Sequence, residues 1–240
     1  ENFPLKAHFW LGSYQTAAHE ASVVNPVTAE ARLERDVFLH RAYIALKKHD
    51  LTLDEIKDDP SVPVPLRAVR ELAHFYARPS TAADRIERVK ALFHEGGNPD
   101  DPYTNVVLAT MYMEQGSFKD ALRHLRGSAL ELQAMAVMIY LRMNRVDIAL
   151  KAFRQMQAKD DESPLTQLTG AHVHLALGGD KVPEAQFTFQ ELISRHGSSV
   201  MLLNGLAAAH MAQGHYADAE RVLLDALEKS PSDPDTISNL

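Results

Sequence analysis

One sequence motif of small, apolar and turn-forming residues, which we call the repeat phrase, recurs along the chain. Its clearest copy reads Leu203-x2-Leu206-Ala207-x2-His210, then Gly214-x-Tyr216-x2-Ala219-x3-Leu223-x2-Ala226-x4-Pro231. Upstream copies place alanines at Ala121, Ala149 and Ala185, so successive alanines up to Ala219 are 28, 36 and 34 residues apart. A repeat of this length indicates stacked supersecondary units, each of which buries its apolar face against its neighbours.

Each position of this phrase has a steric role in a pair of antiparallel helices. The small side chains of Ala207, Ala219 and Ala226 allow the paired helices to approach closely, Gly214 turns the chain, and Pro231 ends the second helix. The spacing is typical of tetratricopeptide repeats, whose period is about 34 residues. We therefore predict an all-α, tetratricopeptide-like helix-turn-helix solenoid that winds as a right-handed superhelix. It should occupy residues 1–240 as a single domain, with its last repeat cut at residue 240.

The first hundred residues carry a fainter version of this pattern. Residues 12–17 resemble the turn and the start of a second helix, residues 35–48 predict an amphipathic helix, and residues 65–76 and 82–93 predict a helical hairpin. In the later repeats, residues 127–128 should cut one second helix short. Residues 178–180 should form an insertion in a turn.

Composition excludes several classes of function. Alanine and leucine supply 61 residues against 23 for valine and isoleucine, which favours helix over strand. A net charge of -7, with both signs mixed along the chain, offers no cationic surface for nucleic acid. The absence of cysteine makes a cytoplasmic location the simplest interpretation. The longest apolar run, residues 134–141, is far shorter than the roughly 20 residues of a membrane span.

The first helix of each repeat should line a concave surface. This predicted groove is apolar and rich in methionine, whose flexible side chain suits an extended or hairpin segment of another protein. The same methionines could instead fill the core between repeats. The predicted lining residues are Tyr103, Val106, Thr110, Met113, Met138, Leu141, Met201, Asn204, Ala208 and Met211.

No catalytic residue, cofactor or metal ligand is predicted. His172 and His174 lie two residues apart on a helix and point about 200° away from each other, so they cannot share a metal. His210 replaces a usual aromatic residue and should be a packed imidazole. The sequence has neither a Gly-x-Ser-x-Gly elbow nor a Gly-Lys-Ser/Thr phosphate loop. An enzyme would need a convergent site assembled from distant repeats.

Several blocks are not required by the repeat phrase, and they occur in order along nearly the whole chain. They are residues 9–15 (FWLGSYQ), 34–43 (ERDVFLHRAY), 53–57 (LDEIK), 165–168 (LTQL), 178–181 (GGDK), 189–191 (FQE), 202–205 (LLNG) and 210–214 (HMAQG). Together they resemble the epsilon subunit family of coatomer, the coat of COPI vesicles. Residues 96–105 depart most from that family.

The resemblance implies a non-catalytic structural subunit that binds and stabilises the C-terminal region of the coatomer alpha subunit, and contacts other coatomer subunits through it. It implies a role in Golgi-to-ER retrograde and intra-Golgi transport. The protein would be cytoplasmic and would be found on Golgi membranes and COPI vesicles. Its association with the membrane would be indirect, and it would need no cofactor. The alternative is a general tetratricopeptide adaptor or co-chaperone. That alternative is disfavoured because no lysine is predicted in the groove to pair with an acidic peptide.

Overall fold

The computed structural model describes residues 2–240, and within them it contains helices and no β-strand. Fifteen α-helices follow one another in this part of the chain. They are α1 (Phe3–Trp10), α2 (Tyr14–Val23), α3 (Ala29–Ala45), α4 (His49–Glu55), α5 (Val64–Ala77), α6 (Ala82–His94), α7 (Pro102–Glu114), α8 (Phe118–His124), α9 (Leu130–Arg142), α10 (Val146–Lys159), α11 (Pro164–Leu177), α12 (Val182–His196), α13 (Val200–Ala212), α14 (Tyr216–Lys229) and α15 (Pro234–Asn239). The prediction of an all-α fold is confirmed.

The predicted helical hairpins are present, and their ends follow local capping chemistry. The hairpin expected near residues 65–93 consists of α5 and α6. Helix α3 begins earlier than predicted because the Thr28 side chain accepts a hydrogen bond from the Ala31 amide and caps the helix there. It also ends earlier, at Ala45, and Lys47 just beyond it has a positive φ of 60°.

The irregular repeat intervals have local causes. The short interval contains α8, which has only seven residues and is followed by the turn at Gly127. The long interval contains a 3₁₀ turn over Gly179–Lys181, inserted between α11 and α12. Both departures from the repeat period were predicted from the positions of the glycines.

The chain divides into two compact units. The N-terminal unit comprises Tyr14–Ile139 together with the segment that ends at Phe9. Its core is built from buried side chains of α3, α5, α6 and α7, among them Val37, Val69 and Leu108. No helix within residues 2–240 combines the length and the apolar character that a membrane span requires.

The C-terminal unit comprises Tyr140–Leu240 and the short segment Trp10–Ser13. In two places a phenylalanine of one second helix packs on a glycine of the following first helix. A Cβ atom on Gly170 would lie 2.5 Å from Cζ of Phe153, and a Cβ on Gly205 would lie 2.5 Å from Cζ of Phe189. Both rings are buried, so glycine is required for the helices to approach this closely.

The small residues of the repeat phrase lie where helices pack against each other. Ala207, Ala219 and Ala226 are each at most 2% exposed, and all three belong to the core of the C-terminal unit. Gly214 has a φ of 76° in the turn between α13 and α14, a backbone conformation that glycine adopts without strain. The register predicted for this repeat is confirmed.

Candidate partner-binding surfaces

The predicted lining residues are divided between the two units. Five belong to the N-terminal unit: Tyr103, Val106, Thr110 and Met113 on α7, and Met138 on α9. The other five belong to the C-terminal unit: Leu141 at the end of α9, and Met201, Asn204, Ala208 and Met211 on α13. Their surroundings show which of them retain a surface for a partner.

Tyr103 is engaged by the chain itself. Its hydroxyl donates a 2.9 Å hydrogen bond to Oε1 of Glu34, a carboxylate that also accepts hydrogen bonds from Asn2 and Lys6, each at 3.0 Å. Burial and the nearby Glu34 charge raise the pKa of the Tyr103 hydroxyl above its ordinary value of 10. Burial alone would raise the pKa of Glu34, but the three hydrogen bonds outweigh it, and that pKa is lowered.

Arg41 forms a second internal contact from the same face of α3. Its guanidinium forms a bidentate pair with Glu131 of α9, and the two side chains are only 9% and 14% exposed. The guanidinium carbon also lies 4.6 Å from the ring centre of Phe9 and 5.2 Å from that of Phe38. Arginine is well suited to such a site because its planar group can stack on rings while it binds a carboxylate.

We call these residues the α3 cluster: Glu34, Phe38 and Arg41 with Lys6, Phe9, Tyr103 and Glu131. The three α3 residues are spaced at i, i+4 and i+7, which places them on one helix face. Sequence reasoning did not single out this cluster as a site. The sequence nevertheless contains a signal for this cluster. Four of its members lie within blocks that the repeat phrase does not require: Phe9, Glu34, Phe38 and Arg41.

Val106 does not line an accessible surface, contrary to the expectation. It is 1% exposed, and the six consecutive residues from Thr104 to Ala109 are all buried. The physical reason is that α7 packs against α5, α6 and α8, which together cover nearly all sides of its middle turns. Thr110, one turn further along, is half-buried, and its hydroxyl donates a 2.8 Å hydrogen bond to the Val106 carbonyl.

Asn204 also departs from the expectation because its amide group is used within the C-terminal unit. Its Nδ2 donates to Oγ1 of Thr236 at 2.7 Å, and its Oδ1 accepts from Nδ2 of Asn239 at 3.0 Å. Both partners belong to α15. Asn204 therefore fixes the last helix of the chain on α13 and has little hydrogen-bonding capacity left for another protein.

Met201 packs against the segment Trp10–Ser13. A Cβ atom on Gly12 would lie 3.1 Å from the Cβ of Met201, so the two backbones approach closely. The hydroxyl of the neighbouring Ser199 donates a hydrogen bond to the Leu11 carbonyl and also caps α13. The Met201 side chain is thus partly covered by this chain.

The remaining predicted lining residues keep part of their surface. Met113 and Met138 of the N-terminal unit are half-buried, as are Leu141, Ala208 and Met211 of the C-terminal unit. Met211 packs at the edge of the core of its unit. These five residues form what we call the residual apolar set, which carries no charge and no strong hydrogen-bonding group.

The two histidines of the closest sequence pair lie against different rings. His172 contacts Phe189 with a ring separation of 5.5 Å, whereas His174 contacts Phe153 at 6.0 Å and approaches Glu184 at 3.7 Å. Burial lowers the pKa of His172 to about 4, so its imidazole is neutral near pH 7. These contacts explain both side chains as packing residues.

Comparison with known proteins agrees with this architecture and specifies the family. The signature of the family described as "Coatomer epsilon subunit" matches residues 1–240. The chain belongs to the coatomer epsilon subunit family. It is 35% identical over 239 residues to coatomer subunit epsilon-1 of Arabidopsis thaliana, covering 99% of this chain and 81% of that protein. It is 29% identical over 249 residues to coatomer subunit epsilon of Dictyostelium discoideum, covering 99% and 82%.

Solved structures show the fold of this family member independently. A chain of the APC/C hetero-tetramer Cut9–Hcn1 superposes with a TM-score of 0.67 at 14% identity, covering 96% of this chain and 46% of that one. A tetratricopeptide repeat protein from Parabacteroides merdae superposes with a TM-score of 0.57 at 15% identity, covering 93% and 82%. The epsilon family consists of structural coat subunits, so this member is a structural subunit of the COPI coat and not an enzyme.

Proposed function

We propose that this chain binds the C-terminal region of the coatomer alpha subunit and stabilises that region within the COPI coat. The observation that carries the proposal is the residual apolar set, Met113, Met138, Leu141, Ala208 and Met211, which stays partly exposed on first helices of the repeats. Burying these side chains against a partner would remove apolar surface from water, which is the main favourable term in protein association.

The chemistry of these residues indicates the kind of segment that would bind to them. Three of the five residues are methionines, whose side chains adapt to irregular surfaces, and Ala208 leaves room for a bulkier side chain of the partner. None of the five is charged. An apolar extended or hairpin segment therefore suits these side chains better than the acidic tail that a co-chaperone would capture.

The experiment is a calorimetric titration of this chain with the C-terminal region of the alpha subunit. We expect saturable binding of one equivalent. Met138→Asp and Ala208→Asp test one residue from each unit, and each should weaken binding by about tenfold or more because a buried, unpaired charge costs at least about 1.4 kcal/mol.

Leu224→Asp is the matched control, because Leu224 is 49% exposed on α14 and lies outside the residual apolar set. The Leu224→Asp variant should bind the alpha-subunit segment with unchanged affinity. Unaltered binding by both test variants would move the interface elsewhere on the chain. Failure of the alpha segment to bind, together with capture of an acidic chaperone-tail peptide, would favour the general adaptor instead.

The same proposal covers cellular location. The chain would be cytoplasmic and would reach Golgi membranes and COPI vesicles through the alpha subunit, serving Golgi-to-ER retrograde and intra-Golgi transport. A fluorescently tagged chain should lose its Golgi signal when the alpha subunit lacks its C-terminal region. Retention of that signal would contradict recruitment through this region.

A further inference from the structure

Three potential metal ligands meet at the turn between α13 and α14. His210 lies in the last turn of α13, His215 directly precedes α14, and Asp218 lies in the first turn of α14. One ligand atom from each residue can be chosen so that all three lie within 4.8 Å of one another. Within residues 2–240, no other group of three such side chains meets this criterion.

The turn brings these residues together for a backbone reason. The amide of His215 donates a 2.9 Å hydrogen bond to the carbonyl of His210, which closes the turn around Gly214. The two imidazoles consequently lie side by side, with ring centres 6.2 Å apart. Asp218 follows His215 by three residues at the start of α14, so its carboxylate lies beside the same turn.

His210 is the buried member of this group. The residue is 8% exposed, and its Nδ1 atom is buried without any hydrogen-bond partner. A buried polar atom without a partner is costly and is unusual in folded proteins.

We propose that His210, His215 and Asp218 form a binding site for one divalent transition-metal ion, with Zn²⁺ as its best match. Zinc accepts imidazole nitrogen and carboxylate oxygen at about 2.0–2.2 Å, and three protein ligands leave a fourth position for water or a partner group. The site shares no residue with the residual apolar set, although Met211 of that set directly follows His210 on α13, and it does not depend on binding of the alpha subunit.

The side chains can close onto an ion with small movements. His215 is exposed, and the side chain of Asp218 is 52% exposed, so both can rotate toward the buried His210. Asp218 pairs with Arg221 at 3.2 Å, but the Arg221 side chain is 74% exposed, and such surface pairs contribute little. A bound ion would link the end of α13 to the start of α14 and so stabilise this helical hairpin.

The test uses the untagged chain after treatment with a chelator that is then removed by dialysis. Zinc chloride is titrated by calorimetry, and cobalt chloride by visible absorption, which reports the coordination geometry. We expect one equivalent of each ion, intense tetrahedral cobalt bands, and a melting temperature that rises with zinc concentration because the ion binds only the folded chain.

Three variants each remove one ligand. His215→Asn and Asp218→Asn change exposed residues, and His210→Phe restores the aromatic residue usual at that repeat position, so all three should fold. Each should weaken zinc binding by at least the roughly 10- to 100-fold that loss of an outer-shell partner costs. Asp225→Asn on the same helix and His19→Asn in the other unit are matched controls, and both should bind zinc normally.

The outcomes decide between a built site and incidental binding by surface histidines. Absence of saturable binding of one equivalent would overturn the proposal. The proposal would also be overturned if the His215→Asn and Asp218→Asn variants bound zinc as tightly as the unaltered chain. The same holds if the His19→Asn control lost as much zinc affinity as they do. Because the titration contains no alpha subunit, these results are independent of the proposed coat function.

Discussion

Replacing Gly205 with alanine tests whether close packing or helix propensity decides stability in the C-terminal unit. Gly205 lies within α13, where alanine would normally favour the helix by about 0.5–1 kcal/mol. In this structure, the added Cβ would lie 2.5 Å from Cζ of Phe189, far inside van der Waals contact. The two effects have opposite signs, so the direction of the measured change distinguishes them.

The geometry indicates that the clash is the larger effect. The Phe189 ring is completely buried and belongs to a core cluster with Leu192, Leu202 and Ala185, so it has little freedom to move. Overpacking of such a core costs about 1–3 kcal/mol. After subtraction of the propensity gain, Gly205→Ala should be destabilising by about 1 kcal/mol. For a chain of this length, that corresponds to a fall in melting temperature of about 2–4 °C.

The assay is urea unfolding followed by circular dichroism, applied as a double-mutant cycle. Phe189→Leu removes the ring atoms that the new methyl group would meet, so Gly205→Ala should be neutral or stabilising in that background. The reasoning would be refuted if Gly205→Ala stabilised the unaltered chain, or if its effect were the same with and without the Phe189 ring.

Three further perturbations test other parts of the structure. Arg41→Met leaves the carboxylate of Glu131, which is only 14% exposed, without its guanidinium partner. Urea unfolding should therefore show that the free energy of unfolding falls by about 3–5 kcal/mol. A loss below about 1 kcal/mol, typical of a surface ion pair, would contradict this expectation. Burial lowers the pKa of His172 from 6.5 to about 4. As the pH falls below about 6.5, the imidazole of His172 is therefore protonated in the unfolded chain but stays neutral in the folded chain. The free energy of unfolding should therefore lose roughly 2 kcal/mol between about pH 7.5 and pH 5, and His172→Phe should remove this part of the pH dependence. Ala219→Glu should destabilise the chain by several kcal/mol, as judged by its melting temperature, whereas Ala217→Glu on the exposed face of α14 should not, and equal effects would refute the repeat register.

The helical hairpins were predictable because their determinants are local. Gly214 turns the chain through its own backbone conformation, and Pro231 follows the end of α14 at Lys229. The small residues of the phrase mark the helix crossings because only small side chains allow close approach. Helix ends were less accurate where a single side chain caps the helix, as Thr28 does at the start of α3.

The accessible part of the predicted surface was less predictable, because burial depends on residues far away in sequence. Asn204 has the position of a lining residue, but Thr236 and Asn239 of α15 use its hydrogen-bonding groups. Tyr103 likewise donates its hydroxyl to Glu34, which lies 69 residues away. A repeat pattern specifies which way a helix face points, but it does not specify which other segment covers that face.

By itself, therefore, the sequence determined the all-α hairpin architecture, its register and the resemblance to one family, because these follow from local sterics and from blocks read in order. The tertiary structure decided which first-helix side chains remain open to a partner and which are occupied by the chain's own α3 cluster and α15. It also brought His210, His215 and Asp218 together around one turn. Proximity of this kind depends on the distances between folded side chains, which spacing along the chain does not specify.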